Sequence, residues 1–174
     1  MEFLQSAWTL FINNWEVFLR GAYTALLLAI IGTIIGALIG FFIGIMHTIP
    51  QRTKSFKIVL LKIFNFLLTT YVEIFRGTPM MVQAMVVFYG LVYLGFDIDR
   101  FLAASIVISL NTGAYMAEYV RGGIVSIDKG QFEAAQAIGM NHLQTMLFVV
   151  IPQVGRNILP ATGNQFVMNI KDSS

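Results

Sequence analysis

The sequence of 174 residues contains no cysteine, which excludes disulfide bonds and thiolate metal sites. Charged residues are scarce, at 11% against about 25% in an average soluble domain. Hydrophobic residues make up 57% of the chain, more apolar surface than a water-soluble protein of this length can bury. The formal net charge of +2 is too small to indicate a nucleic-acid-binding protein. Composition therefore predicts an integral membrane protein.

Motifs for catalysis are also missing. The sequence has no Gly-x-x-x-x-Gly-Lys-Ser/Thr loop, so we do not expect this chain to bind ATP in the P-loop manner. His47 and His142 stand apart from other candidate ligands and nucleophiles, and they predict neither a metal site nor a catalytic pair. We therefore expect a chain that is not an enzyme by itself.

The longest uncharged run, residues 21–46, predicts the first membrane span. It exceeds the apolar core of a signal peptide, which is about 7–15 residues long, and it matches the length of about 20 that a helix needs to cross a bilayer. Four glycines recur in it at every fourth position and so share one helical face; they are Gly32, Gly36, Gly40 and Gly44. Small residues let helix backbones approach closely in lipid. The spacing predicts a packed helical bundle.

The first 20 residues hold both tryptophans, Trp8 and Trp15. Tryptophan is enriched at the headgroup level of membranes, so we interpret this segment as an interfacial lead-in helix. A frayed terminus is the alternative.

Basic residues predict how the chain is oriented. Four of them, and no acid, lie between positions 48 and 62, which places that loop in the cytoplasm and the N-terminus outside by the positive-inside rule. The next loop carries Asp97, Asp99 and Arg100 and fits the outside. The segment from Arg121 to about Thr145 is then cytoplasmic.

The apolar stretch 58–95 is interrupted by charged residues and by Pro79. Thr78 is a favourable N-cap and proline is favoured at the first helical position, so a helix can restart here. Broken membrane helices often line substrate paths, and their N-termini carry partial positive charge. A plain proline kink is the alternative. Glu73 and Arg76 lie three positions apart and are predicted to pair.

The third span, about 101–120, carries a polar stripe of Asn111, Thr112, Tyr115 and Glu118. Polar residues inside a membrane usually face protein or water, so they line a path or bond neighbouring helices. Glu118 is expected to pair with Arg121. The residues that we predict to line a translocation path are Arg76, Thr78, Gln83, Asn111, Tyr115, Asn164 and Gln165.

A fourth apolar stretch begins near Phe148 and is predicted to be broken by Pro152 and Pro160. Hydrophobicity recovers at Phe166, shortly before the sequence stops at Ser174. We therefore expect that the chain ends within the fourth span and is incomplete at its C-terminus.

The cytoplasmic segment 126–145 has the signals of two short helices. Asp128 with Gln131 resembles a capping arrangement, Gly139 suits the left-handed position that ends a helix, and Asn141 with Gln144 can open another. A helix-turn-helix DNA reader looks similar. However, the stretch 142–151 contains no Lys or Arg for phosphate and base contacts, which disfavours that alternative.

Five stretches together resemble the permease subunits of ABC importers. Residues 130–139, GQFEAAQAIG, are similar to the EAA loop of that family, and the others point to its polar amino-acid branch. These are 21–26 (GAYTAL), 71–79 (YVEIFRGTP), 114–123 (AYMAEYVRGG) and 169–174 (NIKDSS). They cover nearly the whole chain in family order.

The resemblance implies a MetI-like all-α membrane bundle, typically of five spans, forming one transmembrane domain over residues 1–174. It also implies a multi-pass permease in the bacterial cytoplasmic membrane whose EAA loop docks onto an ABC ATPase subunit holding ATP and magnesium. The implied coupling residues are Gln131, Glu133, Ala134, Ala135 and Gly139. A second permease chain, identical or related, and an extracytoplasmic amino-acid-binding protein complete the implied assembly.

Two other interpretations remain open from the residues alone. A secondary transporter or channel needs coupling carboxylates or a selective pore deep in the membrane. Glu73 lies near one break and no aspartate lies in the middle of a predicted span, which disfavours proton coupling. A membrane anchor or scaffold suits the glycine pattern but gives the capped cytoplasmic helix no purpose.

Overall fold

The computed structural model describes residues 1–48 and 56–173, and these form helices joined by short turns. The all-α membrane fold expected from the sequence is confirmed. The helices are α1 (Glu2–Met46), α2 (Phe56–Gly77), α3 (Met80–Tyr93), α4 (Arg100–Val125), α5 (Lys129–Ala137), α6 (His142–Thr145), a π-helical segment (Met146–Val150) and α7 (Ile151–Ser173). Within the described ranges, α1 from Trp8 onward and α4 are each long and apolar enough to cross a membrane. The bent pair α2–α3 forms a third candidate span.

Helices α1 and α4 form a parallel pair at the centre of the molecule. Each glycine of the α1 face meets a residue of α4, and the four α4 residues are also spaced by four; they are Ile108, Thr112, Met116 and Val120. A Cβ atom added at Gly36 would lie 2.5 Å from the Cβ atom of Thr112, and one added at Gly44 would lie 2.6 Å from that of Val120. We call this contact the glycine seam. Only glycine permits so close an approach.

The N-terminal segment is helical and continuous with the first span. Its backbone is helical from Glu2 except at Asn14, where φ is −126° and ψ is 19°. Trp8 and Trp15 are exposed, at 64% and 52%. The helical part of the lead-in prediction is therefore confirmed, and one non-helical residue, Asn14, marks a kink within α1.

The predicted break in the second apolar stretch is confirmed. The axis of the chain turns by 110° between Leu61–Gly77 and Met80–Tyr93. Helix α3 then runs back along α4 from Met80, which lies near Val107, to Tyr89, which lies near Arg100. The break consequently sits beside the middle of α4.

The sequence predicted that prolines break the fourth apolar stretch, and this prediction is wrong. The helix runs from His142 to Ser173 with one widened π-helical segment, Met146–Val150, and it continues through Pro160. In an α-helix the ring of Pro152 would clash with the carbonyl group four residues earlier, and the wide turn before it is a common way to accommodate such a mismatch. Helix α7 therefore forms a continuous rod beside α1 and α4.

Helix α5 contacts an apolar cluster at the ends of the long helices. Buried side chains from α4, the turn after it, the π-helical segment and α7 contact one another there: Val120, Ile124, Ile127, Met146, Val150 and Val154. The partly buried ring of Phe132, on α5, packs against them. Burying a large apolar side chain stabilises by about 1.5–3 kcal/mol, so Phe132 links α5 to the cluster formed at the ends of α4 and α7.

Candidate functional site

A polar cavity of about 190 Å³ lies where the broken helices meet α4 and α7. At roughly 30 Å³ per molecule, it has room for about six waters. Its lining comes from the break, from α4 and from α7: Thr78, Pro79, Met80, Asn111, Tyr115, Tyr119, Asn164, Gln165, Met168 and Asp172. Five of the seven residues predicted to line a path are thus brought together around one space, although they span almost 90 positions of sequence.

The other two predicted residues lie just behind the lining. Gln83 is 9% exposed, and its Nε2 atom donates to the carbonyl oxygens of Phe75 at 2.9 Å and of Thr78 at 3.0 Å. Its Oε1 atom accepts from Nδ2 of Asn111 at 3.0 Å, and the same nitrogen also donates to the Phe75 carbonyl. The Gln83–Asn111 pair therefore satisfies the carbonyl groups that the helix break leaves without helical partners.

Arg76 has a different partner from the predicted one. Its guanidinium lies 5.5 Å from the ring centroid of Tyr115 and 3.7 Å from the Glu118 carboxylate. Glu118 also holds Arg121 at 2.8 Å, as predicted. Among the described residues there is no ion pair between Arg76 and Glu73, so that prediction is wrong. Arg76 contacts both a carboxylate and an aromatic ring on α4, and these two contacts together stabilise it more than an ion pair with Glu73 on its own helix would.

Helix α3 begins at the wall of the cavity. Its N-cap is Pro79, with no side-chain cap, so the predicted capping by Thr78 is wrong. The Thr78 hydroxyl instead donates to the Ile74 carbonyl and accepts from Gln83. Because the first N–H groups of a helix lack helical acceptors, the start of α3 gives this wall of the cavity partial positive charge. Asp172 supplies a carboxylate to the lining.

Sequence reasoning missed Asn169 as a site residue. It is 1% exposed and joins three helices: its Nδ2 atom donates to Thr33 on α1 at 2.9 Å, and its Oδ1 atom accepts from Thr112 on α4 at 3.1 Å. Gln165, one turn earlier on α7, also donates to Oδ1, at 3.3 Å. The spacing of four between Gln165 and Asn169 was a signal that could have indicated a shared helical face.

The predicted coupling segment is a capped, largely exposed helix. The Asp128 side chain caps α5 by accepting from the Gly130 amide, but its predicted partner Gln131 accepts from Gln153 instead. Gly139 has φ of +83°, as expected for the end of α5. The amides of Gly139 and Met140 donate back to the carbonyls of residues 136 and 135, which completes a Schellman motif. Asn141 and Gln144 form a reciprocal capping box at the start of α6.

The five predicted coupling residues do not all share the exposed side of this segment. Gln131, Glu133, Ala134 and Gly139 are exposed, whereas Ala135 is only 3% exposed. Ala135 therefore packs within this chain, and Ile138 (75% exposed) and Leu143 (66% exposed) provide apolar surface beside the exposed group. The sequence pattern had not singled out these two side chains.

His47 is less isolated than the sequence indicated. It is the residue that ends α1, and it lies close enough to Glu118 and Arg121 to feel both charges. Burial lowers the pKa of His47 below its ordinary value. The Glu118 carboxylate raises this pKa and the Arg121 guanidinium lowers it, each by less than burial does. The imidazole is therefore neutral near pH 7.

Comparison with known proteins identifies a family and several relatives that this chain resembles. Residues 58–174 match the family model described as "Binding-protein-dependent transport system inner membrane component". The chain is 43% identical over 119 residues to the arginine transport system permease protein ArtQ of Bacillus subtilis, covering 68% of this chain and 54% of that protein. It is 31% identical over 166 residues to the probable glutamine permease GlnM of the same organism, covering 95% and 72%.

A third relative is the glutamine transport system permease protein GlnP of Escherichia coli, 40% identical over 114 residues, with 64% of this chain and 52% of that protein covered. The chain thus spans about half the length of two of these three curated relatives.

Two solved structures are similar. A crystal structure of an amino acid ABC transporter with histidines aligns with a TM-score of 0.80 and 36% identity, covering 93% of this chain and 71% of the other. The MetNI methionine ABC transporter in an inward-facing conformation aligns with a TM-score of 0.73 and 21% identity, covering 92% and 73%, and this likeness concerns the fold alone.

Proposed function

The chain belongs to the family of binding-protein-dependent transport system inner membrane components, and from this premise we propose that it is the membrane-spanning subunit of an ATP-driven importer for amino acids. Relatives named for arginine and glutamine transport support this substrate class. The observation that carries the proposal is the polar cavity at the broken helix, connected through α4 and α7 to an exposed cytoplasmic helix.

The cavity suits the two charges of an amino acid. At neutral pH an amino acid has an anionic carboxylate and a largely cationic ammonium group. The start of α3 favours an anion, because Met80 in the cavity lining is the first residue of the helix and its N–H group lacks a helical acceptor. Asp172 and the amides of Asn164 and Gln165 offer oxygen acceptors for the ammonium group. We assign this cavity to the translocation path.

Helix α5 transmits force in this proposal. Residues Gln131, Glu133, Ala134 and Gly139, with Ile138, form the surface that docks onto a cytoplasmic ATPase. Because α5 is attached through the apolar cluster to the cytoplasmic ends of α4 and α7, movement of α5 is passed to two walls of the cavity. Ala135 is buried beneath this surface.

The assembly follows from what this chain lacks. An ATPase subunit that binds ATP and magnesium supplies the energy, and a second permease chain, identical or related, closes the path on its open side. An extracytoplasmic binding protein delivers the amino acid. The N-terminus lies outside and segment 126–145 lies in the cytoplasm, with the chain in the bacterial cytoplasmic membrane.

The test is co-purification and transport with the variant Glu133→Arg. The complex with its ATPase and its second permease chain is reconstituted in proteoliposomes together with the extracytoplasmic binding protein, and ATP-dependent uptake of L-arginine and L-glutamine is measured. Wild type accumulates one of them, and Glu133→Arg loses both the ATPase and the uptake while still inserting into the membrane.

The matched control is Asp97→Arg, which reverses an exposed carboxylate at the opposite end of α4. It keeps the ATPase bound. Retention of the ATPase by Glu133→Arg would show that α5 is not the docking helix. Absence of ATP-dependent uptake in the wild-type complex would contradict the importer.

A further inference from the structure

Asn169 occupies a buried junction that the cavity lining does not include. Its amide contacts α1 through Thr33, α4 through Thr112 and its own helix through Gln165. The four side chains are between 0% and 9% exposed, so their hydrogen bonds are made away from water. Buried networks of this kind fix side-chain orientation, because an unpaired member is costly.

The network orients the amide of Gln165. Since Asn169 directs Nδ2 to the Thr33 hydroxyl, it presents only its Oδ1 atom toward Thr112 and Gln165. Gln165 donates a hydrogen bond to this acceptor from its Nε2 atom. Its Oε1 atom makes no hydrogen bond to any residue that the structure describes, and Gln165 lines the cavity.

We propose that Asn169 is a positioning residue that makes Gln165 present its Oε1 atom to the cavity, where it accepts a hydrogen bond from the ammonium group of the transported amino acid. The inference rests on the proposed function, because it assigns a specificity-determining role to a residue of that cavity. Gln165 touches the substrate, and Asn169 acts through it.

Thr33 and Thr112 both bond Asn169 through a hydroxyl group, but removing one or the other is expected to have different effects. Thr112 packs its methyl group against Gly36, where an added Cβ atom would lie 2.6 Å from Cγ2. In Thr112→Val, Asn169 still donates to Thr33 and still accepts from Gln165, so the orientation of the Gln165 amide is kept. In Thr33→Val the Nδ2 atom has no acceptor, and the Asn169 amide turns toward the Thr112 hydroxyl, which can accept as well as donate. Gln165 then turns its Oε1 atom away from the cavity.

Thr33→Val and Thr112→Val are therefore a matched pair, alike in shape and each removing one buried hydroxyl. The test measures the KM for ATP-dependent uptake of L-arginine or L-glutamine, whichever the wild-type complex accumulates, because KM does not depend on the amount of folded protein. Thr33→Val and Gln165→Leu each raise KM about tenfold, the cost of a lost hydrogen bond to a charged group. Thr112→Val leaves KM within about twofold of wild type, although its yield falls.

The double variant decides whether Asn169 acts through Gln165. With Thr33→Val added to Gln165→Leu, KM rises no further than with Gln165→Leu alone. Equal KM values for Thr33→Val and Thr112→Val, additive effects in the double variant, or an unchanged KM in Gln165→Leu would each overturn the inference while leaving the importer intact. A wild-type complex that accumulates neither amino acid overturns the proposed function and the inference together.

Discussion

Helix α4 has two faces that are packed in different ways. The face toward α1 meets the glycine seam, where the backbones approach so closely that a single methyl group would collide with Thr112 or Val120. The face toward the helix break carries Asn111, Tyr115 and Tyr119, which line a cavity with room for water. One helix thus separates a dry, tightly packed contact from a polar space.

The difference shows what each side of a membrane bundle needs. In lipid the hydrophobic effect does not drive helices together, so the seam depends on close van der Waals contact between backbones. The broken side exposes backbone carbonyls, and these must be satisfied within the protein. Gln83 and Asn111 do so at the carbonyl of Phe75. The first side tolerates no added volume, and the second tolerates no lost hydrogen bond.

The largest effect is expected from adding volume to the seam. A Cβ atom at Gly40 would lie 2.7 Å from the amide nitrogen of Ala117 and 2.7 Å from the carbonyl oxygen of Gly113, and backbone atoms cannot move aside. Gly40→Leu should destabilise the protein by about 3 kcal/mol or more, measured as the midpoint of thermal unfolding in detergent.

The control for this substitution is Gly163→Ala in α7, where an added Cβ atom meets nothing within 4 Å. Alanine is a better helix former than glycine by about 1 kcal/mol, so this variant should be as stable as wild type or slightly more stable. Similar losses in Gly40→Leu and Gly163→Ala would mean that the seam is not a close contact.

An intermediate effect is expected from removing a hydrogen-bonding group at the break. Gln83→Leu leaves the carbonyl of Phe75 with one donor fewer and leaves Asn111 Nδ2 without its side-chain acceptor. The cost should be about 1–3 kcal/mol for each buried group left unpaired. Unfolding midpoints of Gln83→Leu, Asn111→Leu and the double variant should show that the double loss is smaller than the sum. Additive losses would contradict a shared role.

The smallest effect is expected at the ionic end of the polar face. The Glu118 side chain is 25% exposed, and those of its partners Arg76 and Arg121 are 41% and 44% exposed, so solvent screens both ion pairs. Glu118→Gln should cost less than about 1 kcal/mol in the same unfolding measurement. A loss as large as that of Gln83→Leu would mean that charge, and not backbone satisfaction, holds the break.

Periodic features were predictable from the sequence. The fourfold glycine spacing identified one side of the seam, and Pro79 after Thr78 identified the break, because each signal is local. The partner helix of the seam was not predictable, since it depends on how distant segments meet. The prolines of the fourth stretch led to a wrong prediction for a different, local reason, because a π-helical segment accommodates Pro152 and the helix continues through Pro160.

The individual contacts at the site were harder to predict than which residues form it. The polar residues that gather around the cavity were recognised by residue type, because polar groups within a span must face protein or water. The partner of Arg76 was assigned wrongly to Glu73 because only the neighbour on the same helix is visible in sequence. Asn169 was missed because its three partners come from distances of 4, 57 and 136 residues.

Thiol labelling of single-cysteine variants tests most directly the contrast between the buried packing of α4 and the cavity, since the chain has no cysteine of its own. Asn164→Cys lies in the cavity lining, and Ala114→Cys lies on α4 at a position that is 0% exposed. In the proposed complex with an ATPase, a maleimide should modify Asn164→Cys, the amino acid proposed to be transported should slow that reaction, and Ala114→Cys should stay unreactive. Labelling of Ala114→Cys at a comparable rate, or no protection of Asn164→Cys by any transported amino acid, would contradict the account.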